Sequence, residues 1–133
     1  MYCMTKTYVA VVFMSLLEEG RVSLQDPVSK YIPAFADVQV ASKRQAAAAD
    51  SAAAGPRLVR PRTAMRLKHL LNHTSGLSYG AGFGNKPGGA AEESYASLTE
   101  AVARGEVQDL ADFVDRLARV PLRLHPGEAY EYG

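Results

Sequence analysis

A thiol and an amine stand three residues apart near the start of this chain, at Cys3 and Lys6. An apolar run over residues 8–17 follows them, and Gly20 comes soon after it. This pattern predicts one buried helix over residues 2–20 that carries the pair on its first turn. Residues i and i+3 share a helix face, and a helix start is partly positive. Both effects favour a thiolate at Cys3, so the pair is a candidate reactive site.

Three other interpretations of the same stretch need no chemistry. A secretory signal peptide would require a small-residue cleavage site, whereas Glu18 and Glu19 follow the apolar run directly. A membrane span would require about 20 apolar residues, roughly twice the run found here. A core helix with an incidental cysteine remains, and residue types alone favour it because a free cysteine is commonly a small buried hydrophobe.

The totals limit the possible functions. With 133 residues the chain can form one modest domain. Its net charge of +1 gives no argument for a nucleic acid or an anionic membrane as partner. A single cysteine excludes an internal disulfide and a multi-cysteine metal site, and it is compatible with a reducing compartment such as the cytoplasm.

His69 and His73 invite a metal hypothesis because they lie four residues apart. The zinc-protease pattern requires glutamate directly after the first histidine, and Leu70 stands there. The third histidine, His125, is remote in sequence. We therefore expect no metal site, and no cofactor is predicted.

Downstream, the sequence predicts three helices separated by loops. Residues 41–61 are alanine-rich and lack the apolar side chains that a core requires, so we expect an exposed loop insertion there. A glycine-rich loop is predicted over residues 77–90. The helices are predicted over residues 63–76 with Thr63 as N-cap, over residues 92–104, and over residues 110–120 with a buried face of Leu110, Phe113, Val114 and Leu117.

Four stretches in order resemble the serine β-lactamase-like superfamily, which includes penicillin-binding proteins, class C β-lactamases and related esterases. The sequence CMTK at residues 3–6 stands where that superfamily has Ser-x-x-Lys. LQDPVSKYIPAF at residues 24–35 and LLNHTSGL at residues 70–77 are similar to two of its segments. PGEAYEYG at residues 126–133 resembles the approach to its tyrosine motif. The resemblance covers nearly the whole chain apart from the alanine-rich insertion.

The resemblance implies an α+β fold of which residues 1–133 form a partial domain, truncated at both ends and containing mainly the helical part. It also implies an acyl-enzyme mechanism. In that mechanism Cys3, in place of the usual serine, is the nucleophile. Lys6 is the base or proton shuttle, and Tyr132 is the second shuttle. The strand with the Lys-Thr-Gly-like motif, which supplies half of the oxyanion hole, is not in the chain.

These residues support two functional expectations. The first is a hydrolase that cleaves a small-molecule ester or amide through an acyl-enzyme on Cys3. The second is a catalytically inactive remnant that binds a partner through exposed apolar faces. A plain helical interaction domain would leave the order of the four motifs to coincidence. No nucleic acid or membrane span is expected, and the oligomeric state stays open.

Overall fold

The computed structural model describes residues 3–42, 57–80 and 90–133. Within these residues, short 3-10 helices at Val28–Lys30 and Pro33–Asp37 accompany four α-helices and two strands. In chain order these are α1 (Met4–Glu18), β1 (Val40–Ser42), β2 (Arg57–Val59), α2 (Leu67–Leu71), α3 (Ala90–Ala103) and α4 (Leu110–Ala118). Within those described ranges no helix has both the length and the hydropathy needed to cross a bilayer.

Helix α1 begins and ends close to its predicted limits, but it is not the buried helix that its sequence predicts. Gly20 adopts φ +70°, and its N–H donates to the carbonyl of Leu17, as expected for the residue that ends a helix. None of the α1 side chains is fully buried, and Val11 is 65% exposed. Phe13 packs against the hydrophobic core around Val28 and Leu122, so α1 is covered along one edge. An apolar run predicts that another element packs against the helix, but it does not identify that element.

Strands β1 and β2 frame the alanine-rich segment. They pair antiparallel, with Val40 opposite Val59 and Ser42 opposite Arg57. The segment between them, residues 43–56, lies outside the described residues. On its other side β1 binds Leu122: the Leu122 carbonyl accepts from Ala41, and its N–H donates to Gln39. The segment that follows α4 is thereby fixed to the small sheet by an isolated bridge between Val40 and Leu122.

Two cores hold the elements together. The smaller core lies between α3 and α4, and Phe113 and Leu117 pack against it. The larger core joins β1, α2 and the end of α4; Val28, Val40 and Leu122 are its most deeply buried side chains. Its buried members are Val28, Phe35, Val38, Val40, Met65, Leu67, Ala118 and Leu122.

Helix α2 is shorter than predicted, and Thr63 is not its N-cap. The N–H of Val28 donates to the carbonyl of Met65 at 2.8 Å, and the N–H of Leu67 donates to that of Asp26 at 3.0 Å. The chain is therefore bound in extended form to the preceding turn until α2 begins. The Thr63 hydroxyl instead donates to the carbonyl of Pro126.

Helices α3 and α4 lie close to their predicted positions. Asp109 caps α4 by accepting the N–H of Asp112 at 2.8 Å, and Asp112 and Arg116 form an ion pair at 2.8 Å. Leu110 was predicted to be buried, yet it is 76% exposed at the first position of α4. Most of the predicted glycine-rich loop, residues 81–89, lies outside the described residues.

Candidate active site

The structure brings together the three residues that the sequence predicts as catalytic. Cys3 stands at the N-cap of α1, and Lys6 lies on the first turn of that helix. The Cys3 Sγ lies 3.1 Å from the Tyr132 Oη, although the two residues are 129 positions apart. The Lys6 Nζ lies 4.8 Å from the centroid of the Tyr132 ring. Cys3 and Lys6 thus share Tyr132 as a neighbour, and Cys3 is exposed to solvent.

A second tyrosine, Tyr79, belongs to the same cluster, and the sequence analysis did not single it out. The Lys6 Nζ donates a hydrogen bond to the Tyr79 Oη at 3.2 Å. The rings of Tyr79 and Tyr132 have centroids 5.8 Å apart. The sequence feature that could have indicated Tyr79 is its position as an aromatic residue in a glycine-rich segment after the LLNHTSGL stretch. The Lys6 ammonium therefore lies beside two aromatic rings, which attract a cation.

His73 packs against the ring of Tyr132. It has φ +55°, a left-handed conformation that non-glycine residues adopt rarely. Its ring centroid lies 4.7 Å from that of Tyr132, and its carbonyl accepts the N–H of Glu131 at 2.9 Å. His69 points elsewhere: it is buried, and its Nδ1 accepts the N–H of Arg66. His73 therefore positions the tyrosine segment, whereas His69 belongs to the start of α2.

An ion pair fixes the backbone next to Tyr132. The Arg123 Nε lies 2.9 Å from the Glu131 Oε1, and the two side chains are only 9% and 12% exposed. On the other side of Tyr132, a Cβ on Gly133 would lie 2.7 Å from the carbonyl oxygen of Leu77. The tyrosine is thus held between a nearly buried ion pair and a close backbone contact.

The electrostatics of the cluster favour protonated Lys6 and Tyr132. Hydrogen bonds with Tyr132 and then Tyr79 raise the pKa of Lys6 above its ordinary value. The hydrogen bond with Cys3 raises the pKa of Tyr132, against an opposing effect of Lys6. At neutral pH the cluster therefore contains an ammonium and a phenol.

Comparison with known proteins gives a family and several relatives. The sequence model of the Beta-lactamase family matches residues 1–133. Protein Rv1367c from Mycobacterium tuberculosis (strain ATCC 25618 / H37Rv) is 32% identical over 131 residues, which are 97% of this chain and 28% of that protein. Esterase EstB from Burkholderia gladioli is 28% identical over an alignment of 139 positions, which covers 96% of this chain and 27% of that protein.

A third relative is ML-236A carboxylate methylbutanoyltransferase mlcH from Penicillium citrinum, 36% identical over 76 residues, 56% of this chain and 16% of that protein. Among solved structures, simvastatin synthase (LovD) from Aspergillus terreus matches with a TM-score of 0.60 and 29% identity, over 97% of this chain and 28% of that one. The chain spans less than a third of the length of these relatives. The resemblance stated above and the predicted α+β fold class are confirmed.

Proposed function

This chain belongs to the Beta-lactamase family, and on that basis we propose that it carries the nucleophile of an acyl-transfer enzyme acting on esters or amides. One relative is named an esterase and another a methylbutanoyltransferase. Both names describe the transfer of an acyl group, to water in the first case and to another acceptor in the second. Cys3 is the residue that receives the acyl group.

The proposed reaction has two covalent steps. The Cys3 sulfur attacks the carbonyl carbon, the bond from that carbon to the leaving oxygen or nitrogen breaks, and a thioester forms. The leaving group takes up one proton and departs as an alcohol or amine. Water or a second alcohol then attacks the thioester, which releases an acid or a new ester and restores the Cys3 thiol.

Lys6 and Tyr132 handle the protons in this proposal. Both retain their protons in the resting site, so they act first as donors: Tyr132 toward the sulfur or the leaving group, and Lys6 as the cation that stabilises negative charge. Tyr79 is the further partner of Lys6 and keeps the ammonium beside the ring of Tyr132. A thiolate needs less assistance from a base than an alkoxide does, which fits protonated neighbours.

The observation that carries this proposal is the contact between the Cys3 Sγ and the Tyr132 Oη at 3.1 Å. Two motifs from opposite ends of the sequence meet there at hydrogen-bond distance, with the Lys6 ammonium against the same ring. An incidental cysteine on a core helix would not require this arrangement, since Cys3 is exposed.

The test is turnover of a chromogenic ester, p-nitrophenyl butyrate, and of a chromogenic cephalosporin, together with intact-mass detection of the acyl thioester. We expect Cys3→Ala to abolish both turnover and the mass increase. Tyr132→Phe should lower the rate about 100-fold, the usual scale of proton-transfer catalysis. Tyr130→Phe is the matched control, because Tyr130 is 66% exposed and two residues away. Turnover by the Cys3→Ala variant would refute the assignment of Cys3 as the nucleophile.

A second candidate function is non-catalytic binding through the exposed face of α1. The observation that favours it is the exposure of four apolar side chains, Tyr8, Val9, Val11 and Val12, each between 59% and 65%. The two candidates separate in the same experiment. A wild-type chain that neither turns over an ester nor forms a thioester supports the binding module.

A further inference from the structure

His69 is a buried titratable side chain that the proposed reaction does not use. It is 6% exposed, and its Nδ1 accepts the N–H of Arg66 at 3.1 Å. An imidazole nitrogen that accepts a hydrogen bond carries no proton, so the ring is neutral and its single proton is on Nε2. Protonation of Nδ1 would place a second N–H against the N–H of Arg66. The contact at the start of α2 therefore requires the neutral ring.

The His69 ring lies between α2 and the segment that leads to Tyr132. A Cβ on Gly127 would lie 3.4 Å from the His69 Nε2, so the ring lies close to the backbone of Gly127. The N–H of Gly127 donates to the carbonyl of Thr74 at 2.8 Å, and the N–H of Thr74 donates to the carbonyl of His69 at 2.9 Å. His69 is therefore linked to Gly127 by its ring and, through Thr74, by its backbone.

A further main-chain hydrogen bond extends this docking to the active-site tyrosine. The N–H of Glu131 donates to the carbonyl of His73 at 2.9 Å, and Tyr132 is the next residue. The position of the Tyr132 hydroxyl beside the thiol thus depends on how its segment docks on the segment that follows α2. His69 lies at the other end of that docking surface.

The surroundings of His69 disfavour a protonated ring. Burial lowers the pKa of His69 below its ordinary value of 6.5, and the positive charges of Lys68 and Arg66 lower it further. The segments packed against α2 carry three other titratable groups, and each has a partner of its own. Asp26 binds Lys30, the His125 Nδ1 accepts the N–H of Arg62, and Glu128 accepts the N–H of His125.

The sign of the pH dependence follows from this direction. A histidine whose pKa is lower in the folded state than in the unfolded state stabilises the fold above pH 6.5. That contribution is lost as the pH falls through the folded pKa, because the open forms of the chain then bind the proton more tightly.

We propose that neutral His69 is a positioning residue of the candidate active site, and that its protonation in mild acid releases the Tyr132 segment from the segment that follows α2. A buried imidazolium beside two cations is costly, so proton binding favours conformations in which the ring reaches water. The ring then leaves Gly127, and the hydrogen bond from Gly127 to Thr74 opens with it. The consequence for activity rests on the acyl transfer proposed above, whereas the docking itself is measured without substrate.

The first experiment measures hydrogen-exchange protection of single amides in the wild-type chain by NMR at pH 7.5 and pH 5.5. The amides of Gly127 and Glu131 report the docking, because both donate to carbonyls of the segment that follows α2. We expect acid to lower their protection factors by about threefold or more and to leave that of Leu117, within α4, unchanged. Unchanged protection at Gly127 would overturn the proposal. An equal fall at Leu117 would indicate global unfolding and would overturn it as well.

The second experiment assigns the effect to one histidine. His69→Asn keeps an acceptor for the N–H of Arg66 but does not titrate, so the acid-induced loss at Gly127 should disappear. His125→Asn is the matched control, because the His125 Nδ1 also accepts a backbone N–H, and it should keep the loss. A loss that persists in His69→Asn, or that disappears only in His125→Asn, would contradict the assignment.

A third measurement needs no variant and covers the case in which His69→Asn does not fold. The His69 ring of the wild-type chain is titrated by NMR, and its midpoint should lie below pH 6.5 and coincide with the midpoint for protection at Gly127. Different midpoints would overturn the proposal. If wild type turns over no ester, the acyl-transfer function fails and the role of His69 stands. If esters are turned over but protection is independent of His69, the role of His69 fails alone.

Discussion

At the scale of single residues, the site is a thiol among protonated neighbours. The i,i+3 spacing of Cys3 and Lys6 predicted that they share a helix face, and the motif order predicted Tyr132. Neither signal indicated Tyr79, which sits in a segment without helical or strand periodicity. The link through Tyr132 is a tertiary contact, so spacing along α1 could not reveal it; only the resemblance could.

The first prediction concerns the reactivity of Cys3. Lys6→Ala should slow alkylation of Cys3 by iodoacetamide at pH 7.5 roughly threefold to tenfold, because it removes the cation that stabilises the thiolate. Lys30→Ala is the matched control, since it removes the same charge from an ion pair with Asp26 that does not include the thiol. Equal alkylation rates in wild type and Lys6→Ala would exclude the hypothesis that Lys6 activates Cys3.

The second prediction is the pH dependence of that reaction. The pKa of Lys6 is raised above 10.5 and that of Tyr132 above 10.0. A raised pKa means that each group keeps its proton to higher pH, so neither should titrate between pH 6 and pH 9.5. The alkylation rate of wild type should therefore show no inflection from Lys6 or Tyr132 in this range. An inflection that disappears in Lys6→Ala would contradict the assigned proton states.

At the scale of elements, local signals located the helices, and tertiary contacts decided their ends and their cover. The end of α1 at Gly20 followed from the sequence because a glycine with positive φ is a local requirement. The start of α2 did not follow from the sequence, because the N–H of Val28 donates to the carbonyl of Met65 and keeps the segment before α2 extended. The long apolar pattern from Met65 onward is compatible with either conformation.

A third prediction concerns Gly76, which follows α2. It has φ +84°, and a Cβ there would lie 2.2 Å from the carbonyl oxygen of Leu124. Gly76→Ala should lower the free energy of unfolding by about 3 kcal/mol or more, from left-handed strain together with a backbone clash. Gly105→Ala shares the positive φ but meets no atom within 4 Å, so it should cost about 1 kcal/mol. Urea denaturation followed by circular dichroism measures both, and equal costs would refute the clash.

A fourth prediction concerns the ion pair beside Tyr132. Glu131→Ala removes the carboxylate that faces the nearly buried Arg123 guanidinium and should lower the free energy of unfolding by about 3 kcal/mol. Glu106→Ala breaks the exposed pair with Arg104 and should change it by less than about 0.5 kcal/mol. Thermal denaturation compares the two variants. A loss at Glu131 no larger than at Glu106 would show that the pair does not hold this segment.

At the scale of the whole molecule, the exposed face of α1 is the main departure from what the sequence predicted. The sequence shows that these side chains are apolar. It does not show whether they are buried, because burial depends on a neighbouring element, and in the described residues α1 is covered along one edge.

The fifth prediction follows from that face. At micromolar concentration the chain should self-associate and bind 8-anilinonaphthalene-1-sulfonate, because contiguous exposed apolar surface favours both. Val11→Glu/Val12→Glu should reduce dye fluorescence and shift light scattering toward the monomer. Leu110→Glu/Ala111→Glu adds the same charge at exposed positions of α4 and should change neither. A wild-type monomer with a cooperative, high-temperature unfolding transition would contradict the prediction.

The contact between Cys3 and Tyr132 also has a consequence for folding kinetics. It joins residues 129 positions apart, so almost the entire chain must be organised before the thiol meets the phenol. The entropy lost in closing so long a loop can be recovered only after the intervening helices have packed. Cys3 is the only cysteine of the chain, and it lies at this junction. Its chemical environment should therefore change late in refolding. The environment of Cys3 thus indicates when the fold is complete, in addition to its role as a candidate nucleophile.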